Sequence, residues 1–206
     1  DIDIAMKRND YKHFIDIISD ELPDEYVIIT PMRVQQEKEL DLKHNCCTRI
    51  VNSHSVCFNE KFMGLYHGFP YIAGVDIFPL DGMPNNPEER SILCEIMRTV
   101  LFTELHMHEW NDKVKEQYYA LIEESCRISL DRNRNLNHQL LILADALAQS
   151  YTIGECDELA CVSWYSAGGD LFTIQKQYYD HAIYLPFENV KMAVPCGYHE
   201  ATRAVF

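Results

Sequence analysis

Asp1 and Asp3, one residue apart in Asp1-Ile2-Asp3-Ile4, are the first side chains whose type and spacing could do chemistry. Alternating Asp and Ile on an extended strand aims both carboxylates at one face and both isoleucines at the other. Two carboxylates held side by side repel one another unless a cation lies between them, and hard divalent ions such as Mg²⁺ favour oxygen ligands. The alternative is an exposed strand end with two solvated acids. A second acid in an unusual setting is Asp76, in Tyr71-Ile72-Ala73-Gly74-Val75-Asp76-Ile77-Phe78-Pro79-Leu80. An unpaired charge within an apolar strand is costly, so Asp76 calls for a partner. Either it is a third metal carboxylate from a neighbouring strand, or it is hydrogen-bonded to backbone at a strand end.

Other metal-type clusters are weaker. His44, Cys46, Cys47, His54 and Cys57 are zinc-ligand types without the C-x₂-C pairing of a zinc knuckle. His106-Met107-His108-Glu109 is read as a helix end, because residues two apart on a helix do not face each other. The eight cysteines show no framework spacing and are expected to be reduced thiols of a cytoplasmic protein, peripheral attachment to a membrane included.

The elements that must position these groups follow from composition and pattern. A chain of 206 residues with 47% hydrophobic residues can bury a core and is expected to form one domain. Its net charge of −14 argues against nonspecific binding of a nucleic-acid backbone, and a phosphate-bearing substrate would need a metal bridge to so acidic a protein. No apolar run of about 18 residues and no signal peptide is seen. The chain opens without Met inside a patterned strand. It is therefore expected to be a piece of a longer polypeptide.

After the D-x-D strand, Asn9 or Asp10 is expected to cap a helix carrying Tyr11, Phe14, Ile15, Ile18 and Leu22 as far as Pro23. Strands are expected at Tyr26–Ile29, at Arg49–Phe58 and around Asp76, with an irregular polar region over 31–48. Asp81-Gly82 and Pro84-Asn85-Asn86 read as exit turns. Asn86 caps and Pro87 opens a helix striped with Ile92, Leu93, Ile96, Met97, Val100, Leu101 and Leu105. Further helices are expected from Asn111 and over Leu136–Gln149, so the helical middle spans about 87–150. Strands follow at Ala160–Trp164 and Leu171–Ile174. A hairpin joins Ile183–Phe187 to Val190–Val194 through Glu188-Asn189, and a short helix begins after Pro195-Cys196-Gly197.

Three ordered blocks carry a family resemblance: Asp1-Ile2-Asp3-Ile4-Ala5-Met6 with Arg8, Asp10 and Tyr11; Val75-Asp76-Ile77-Phe78-Pro79-Leu80-Asp81-Gly82-Met83-Pro84; and Leu185-Pro186-Phe187-Glu188-Asn189-Val190 with Val194-Pro195-Cys196-Gly197-Tyr198. In these the chain resembles the LicD family of bacterial phosphocholine transferases, relatives of the fukutin-related proteins. The resemblance implies an α+β, nucleotidyltransferase-like mixed sheet flanked by helices. It implies transfer of a phosphorylated alcohol from a CDP-alcohol donor to a hydroxyl of a surface glycan acceptor such as teichoic acid or lipopolysaccharide.

By the same resemblance Asp1, Asp3 and Asp76 would be both catalytic residues and ligands of Mg²⁺, two ions being expected, and Asp76 would take the proton of the attacking hydroxyl. Arg8 would contact a donor phosphate; a surface arginine bridging its own helix is the other reading. The family pattern would place a glycine-rich phosphate turn and a further acid ahead of residue 1 and continue the terminal helix, so by the resemblance the chain is expected to be truncated at both ends and inactive by itself. A quaternary ammonium group would want an aromatic cage, with Tyr66 and Tyr71 as candidates and core packing as their other reading. Two further functions stay open: a nucleotidyltransferase releasing pyrophosphate, and a non-catalytic binding relative. Substituting Asp76 by Asn is expected, on the picture of crowded acids, to leave the melting temperature unchanged or raise it.

Overall fold

A computed structural model describes residues 3–30, 46–52, 61, 74–161 and 172–205. It is an α+β chain, as expected, with two compact units, 1–79 and 80–206.

In the first unit, β1 (Asp3–Lys7) runs without a linking residue into α1 (Arg8–Glu21). The expected cap at Asn9 or Asp10 is corrected by this continuity. The helix begins at Arg8, Lys7 stands at the cap position with no side-chain bond, and Asp10 falls in the first turn at the positive end of the helix dipole. Tyr11 is the most buried of the predicted apolar stripe, at 7% exposure. Leu22 leaves the helix in an extended conformation, as the residue before a proline favours.

β2 (Tyr26–Ile29) has the predicted bounds. It pairs antiparallel with β3 (Thr48–Asn52), which in turn pairs antiparallel with β4 (Gly74–Met83). β1 also pairs with β4. Val51 and Ile77 enter the core of this unit together with Tyr11 and Ile29.

In the second unit the end of β4 continues as a strand, where a turn at Asp81-Gly82 was expected. Asp81, Gly82 and Met83 face Ala160, Leu159 and Glu158 of β5 (Glu158–Ala160), which pairs antiparallel with β6 (Thr173–Gln175). Gly82 serves close approach rather than chain reversal. A Cβ there would lie 2.9 Å from Cys156 Sγ and 3.0 Å from the Thr152 carbonyl oxygen. The expected strand over Ala160–Trp164 begins two residues earlier, and its residues 162–164, like Leu171, lie outside the described residues.

The helices of this unit match their sequence signals. Asn86 accepts from the backbone N–H groups of Glu88 and Glu89 at the start of α2 (Pro87–His106). Asn111 caps α3 (Asp112–Cys126), and Asn135 caps α4 (Leu136–Ala148). α2 packs chiefly on α4 and next on α3. Leu93, Met97, Val100 and Leu101 supply its inner face, and Ile122, Leu140, Leu141 and Ala144 meet the core from the other two helices. Ile92 and Leu105 belong to the predicted stripe yet are exposed. No helix among the described residues is long and apolar enough to cross a membrane.

The hairpin β7 (Ala182–Phe187) and β8 (Val190–Pro195) closes through Glu188-Asn189, with α5 (Tyr198–Val205) after it. Glu188 has φ 53°, in the left-handed region where a side chain is strained. Glu188→Gly is therefore expected to stabilise the protein by about 0.5 kcal/mol, the strain relieved exceeding the chain entropy that glycine adds. A higher urea midpoint at unchanged slope would show it, and a lower one would mean that Glu188 makes a compensating contact.

Candidate functional site

Asp76 sits at 12% side-chain exposure on β4, directly opposite Arg49 of β3 in the antiparallel register. Side chains directly opposed across a strand pair meet, and here they form a fork. Arg49 Nη2 donates to Asp76 Oδ2 at 2.5 Å, and Arg49 Nε donates to Oδ1. The charged partner that Asp76 called for is thus an arginine, which neither sequence-based alternative named. The hydrogen bond to Asp76 is the main influence holding the Arg49 guanidinium above its usual pKa, and burial opposes it. Further electrostatic support comes from Asp76, Cys47 and Asp3.

Asp3 is exposed at the start of β1, whose pairing with β4 brings it into this neighbourhood. Its charge acts on the same guanidinium. Of the acids expected to converge, Asp76 is bonded to this cation and Asp3 acts on it through its charge; Asp1 lies outside the described residues.

Arg8 is not a surface arginine. It is 6% exposed at the first position of α1, with its guanidinium carbon 5.4 Å from the centroid of the Tyr11 ring. The Tyr11 hydroxyl shares a 2.5 Å hydrogen bond with Thr48 Oγ1, and Thr48 is fully buried next to Arg49. A packed column of Arg8, Tyr11 and Thr48 thus joins the end of β1 to the strand carrying Arg49. Asp81, the next acid along β4, is 3% exposed, belongs to the second unit and is not without an interaction.

Carboxylate oxygens are the ligand type that a hard divalent cation takes. Asp3 and Asp76 offer carboxylate oxygens from paired strands, and a carboxylate has about four lone-pair directions, so the fork to Arg49 leaves Asp76 able to accept another partner. Among the described residues no group of three or more His, Cys, Asp or Glu side chains is arranged to hold a metal ion. His44, His54 and Cys57 of the zinc-type cluster lie outside the described residues, as do Tyr66 and Tyr71; Cys46 and Cys47 are buried just ahead of β3. His106 ends α2, as expected, and a 3₁₀ turn over Met107–Glu109 sets the Glu109 carboxylate 3.6 Å from His106 Nδ1 and 3.4 Å from His108 Nε2.

Arg49 and Thr48 are the site residues that sequence reasoning passed over. A signal for Arg49 was present: a lone arginine in Thr48-Arg49-Ile50-Val51 mirrors the lone acid in Val75-Asp76-Ile77. Opposite charges embedded in two apolar strands are candidates for a cross-strand pair.

No family model matches the chain, and no solved structure matches it. Among curated proteins it is similar to "Lipopolysaccharide cholinephosphotransferase LicD" of Haemophilus influenzae, 27% identical over 97% of this chain and 69% of that protein. This supports LicD-family membership, in agreement with the resemblance carried by the three sequence blocks.

Proposed function

We propose that this LicD-family chain is a phosphocholine transferase acting on lipopolysaccharide or a related surface glycan such as teichoic acid, with a CDP-alcohol as donor and Mg²⁺ as cofactor. The observation that carries the reading is the fork between Asp76 and Arg49, a cation on which the charge of Asp3, from a separate part of the chain, also acts. The relative matched along nearly the whole chain bears phosphocholine transfer in its name. A nucleotidyltransferase-like arrangement of the sheet belongs to the same proposal.

In this reading Asp1, Asp3 and Asp76 hold the metal. Mg²⁺ held there would supply charge neutralisation of the donor's phosphates. Asp76, kept in one orientation by Arg49, takes the proton of the attacking sugar hydroxyl. The Arg8–Tyr11–Thr48 column ties the start of α1, directly after β1, to β3, which holds the reacting groups to a narrow range of positions. Contact of Arg8 with a donor phosphate would have to be made from its buried place over the Tyr11 ring.

The deciding experiment incubates the full protein and an acceptor glycan with a panel of CDP-alcohols and follows CMP. CMP release that needs Mg²⁺ and is fastest with CDP-choline is the expected result. Pyrophosphate release from CTP would make the protein a nucleotidyltransferase, and calorimetry showing no metal-dependent nucleotide binding would make it a binding relative.

A further inference from the structure

Arg49 has two distinguishable sides. Its Nε and one Nη2 hydrogen are committed to Asp76, two of the five N–H groups that a guanidinium carries. The side chain is 37% exposed where Asp76 is 12% exposed, so the arginine reaches from the acid towards solvent. Its bond to Asp76 joins directly opposed positions of the cross-strand register.

The charges around it set a condition on metal binding. Asp3 and Asp76 contribute −2 and Arg49 contributes +1, leaving −1 among these described groups. A divalent ion approaching the two carboxylates meets a positive charge already seated on one of them. At a separation of about 6 Å in a water-like dielectric, that repulsion weakens cation binding roughly tenfold. A nucleoside diphosphate donor brings the missing negative charge, and its phosphate oxygens match the geometry of a guanidinium edge.

We propose that Arg49 is the resident counter-ion of the Asp3–Asp76 carboxylate pair, a positioning residue that orients Asp76 and holds affinity for a lone divalent cation low until a diphosphate-bearing donor arrives with it. This inference rests on the metal-dependent transferase reading, and makes metal and donor bind cooperatively rather than independently.

The test titrates Mn²⁺ into the full protein at low salt and reads free ion by electron paramagnetic resonance, with and without CDP. Arg49→Gln removes the charge while keeping an amide donor for Asp76, and Arg49→Lys keeps the charge. Without CDP, Arg49→Gln is expected to bind Mn²⁺ about tenfold more tightly than the wild type, with Arg49→Lys within about twofold of the wild type. CDP is expected to tighten Mn²⁺ binding more in the wild type than in Arg49→Gln.

Equal or weaker Mn²⁺ binding by a cooperatively melting Arg49→Gln protein would overturn the proposal. Should that variant not fold, wild-type Mn²⁺ affinity unaffected by CDP would overturn it as well. The two ideas fail separately: no CMP from any CDP-alcohol, with the Gln and Lys variants still differing in Mn²⁺ affinity, removes the transferase and keeps the counter-ion. CMP release with the two variants alike in Mn²⁺ affinity does the reverse.

Discussion

Asp76→Asn is expected to lower CMP release from CDP-choline by about 10²–10⁴-fold, the range associated with loss of a group that moves a proton in the transition state. The substitution preserves shape and removes the negative charge. It also replaces one acceptor oxygen with an NH₂ group that points donor against donor at Arg49, where both oxygens now accept. Stability should therefore fall by about 1–3 kcal/mol, the usual cost of leaving one partner of a buried polar pair unsatisfied.

That reverses the expectation built on crowded acids. Among the described residues the bonded neighbour of Asp76 is a cation, so charge removal breaks an attraction instead of relieving a repulsion. Parallel measurement of CMP release and of the thermal midpoint checks both halves. Intact turnover would remove Asp76 from the site, and an unchanged or raised midpoint would mean that the pair with Arg49 contributes nothing in solution.

Ile77→Ala is expected to destabilise the first unit by about 2–5 kcal/mol, against about 0.5–1.5 kcal/mol for Ile77→Val. Ile77 has no exposed surface and follows Asp76 on β4, opposite Thr48 in the register. Neighbouring residues of a strand point to opposite faces, so the site acid is anchored by the apolar residue behind it. A cavity at Ile77 should loosen the backbone that holds Asp76 in register with Arg49. Turnover is expected to fall with stability in the Ala variant and to stay close to wild type in the Val variant. Urea midpoints give the stabilities, provided the slopes are unchanged. Equal midpoints for Ala and Val would show that this part of β4 is not packed as described.

Local rules made the second unit readable in advance. Asn86, Asn111 and Pro87 announce helix starts, the 3.6-residue period of Leu93, Met97, Val100 and Leu101 announces an inner face, and two turn residues between alternating segments announce the hairpin. These signals act over a few residues, so the chain states them directly. The misread places depend on distant neighbours. Asp81-Gly82 has turn composition but continues as strand because β5 supplies its hydrogen bonds and Cys156 occupies the space beside the glycine. The start of α1 shifted because the strand ahead of it runs straight into the helix.

What the sequence by itself determined is the list of candidate acids, the family resemblance of the three blocks and the class of fold, all carried by residue type and short-range spacing. What only the tertiary structure decided is which charge answers Asp76 and where Arg8 goes. Arg49 lies 27 residues from Asp76 along the chain, and the antiparallel register that opposes them is a non-local property in which a slip of one residue would turn every side chain to the other face. Arg8 stands beside the D-x-D strand in sequence, yet its burial over Tyr11 depends on how α1 packs, which brings the Tyr11 hydroxyl to Thr48 on β3. The chemistry was present in the residue list; its pairing was created by the fold, because burying a charge is tolerable only where a partner has been brought to meet it.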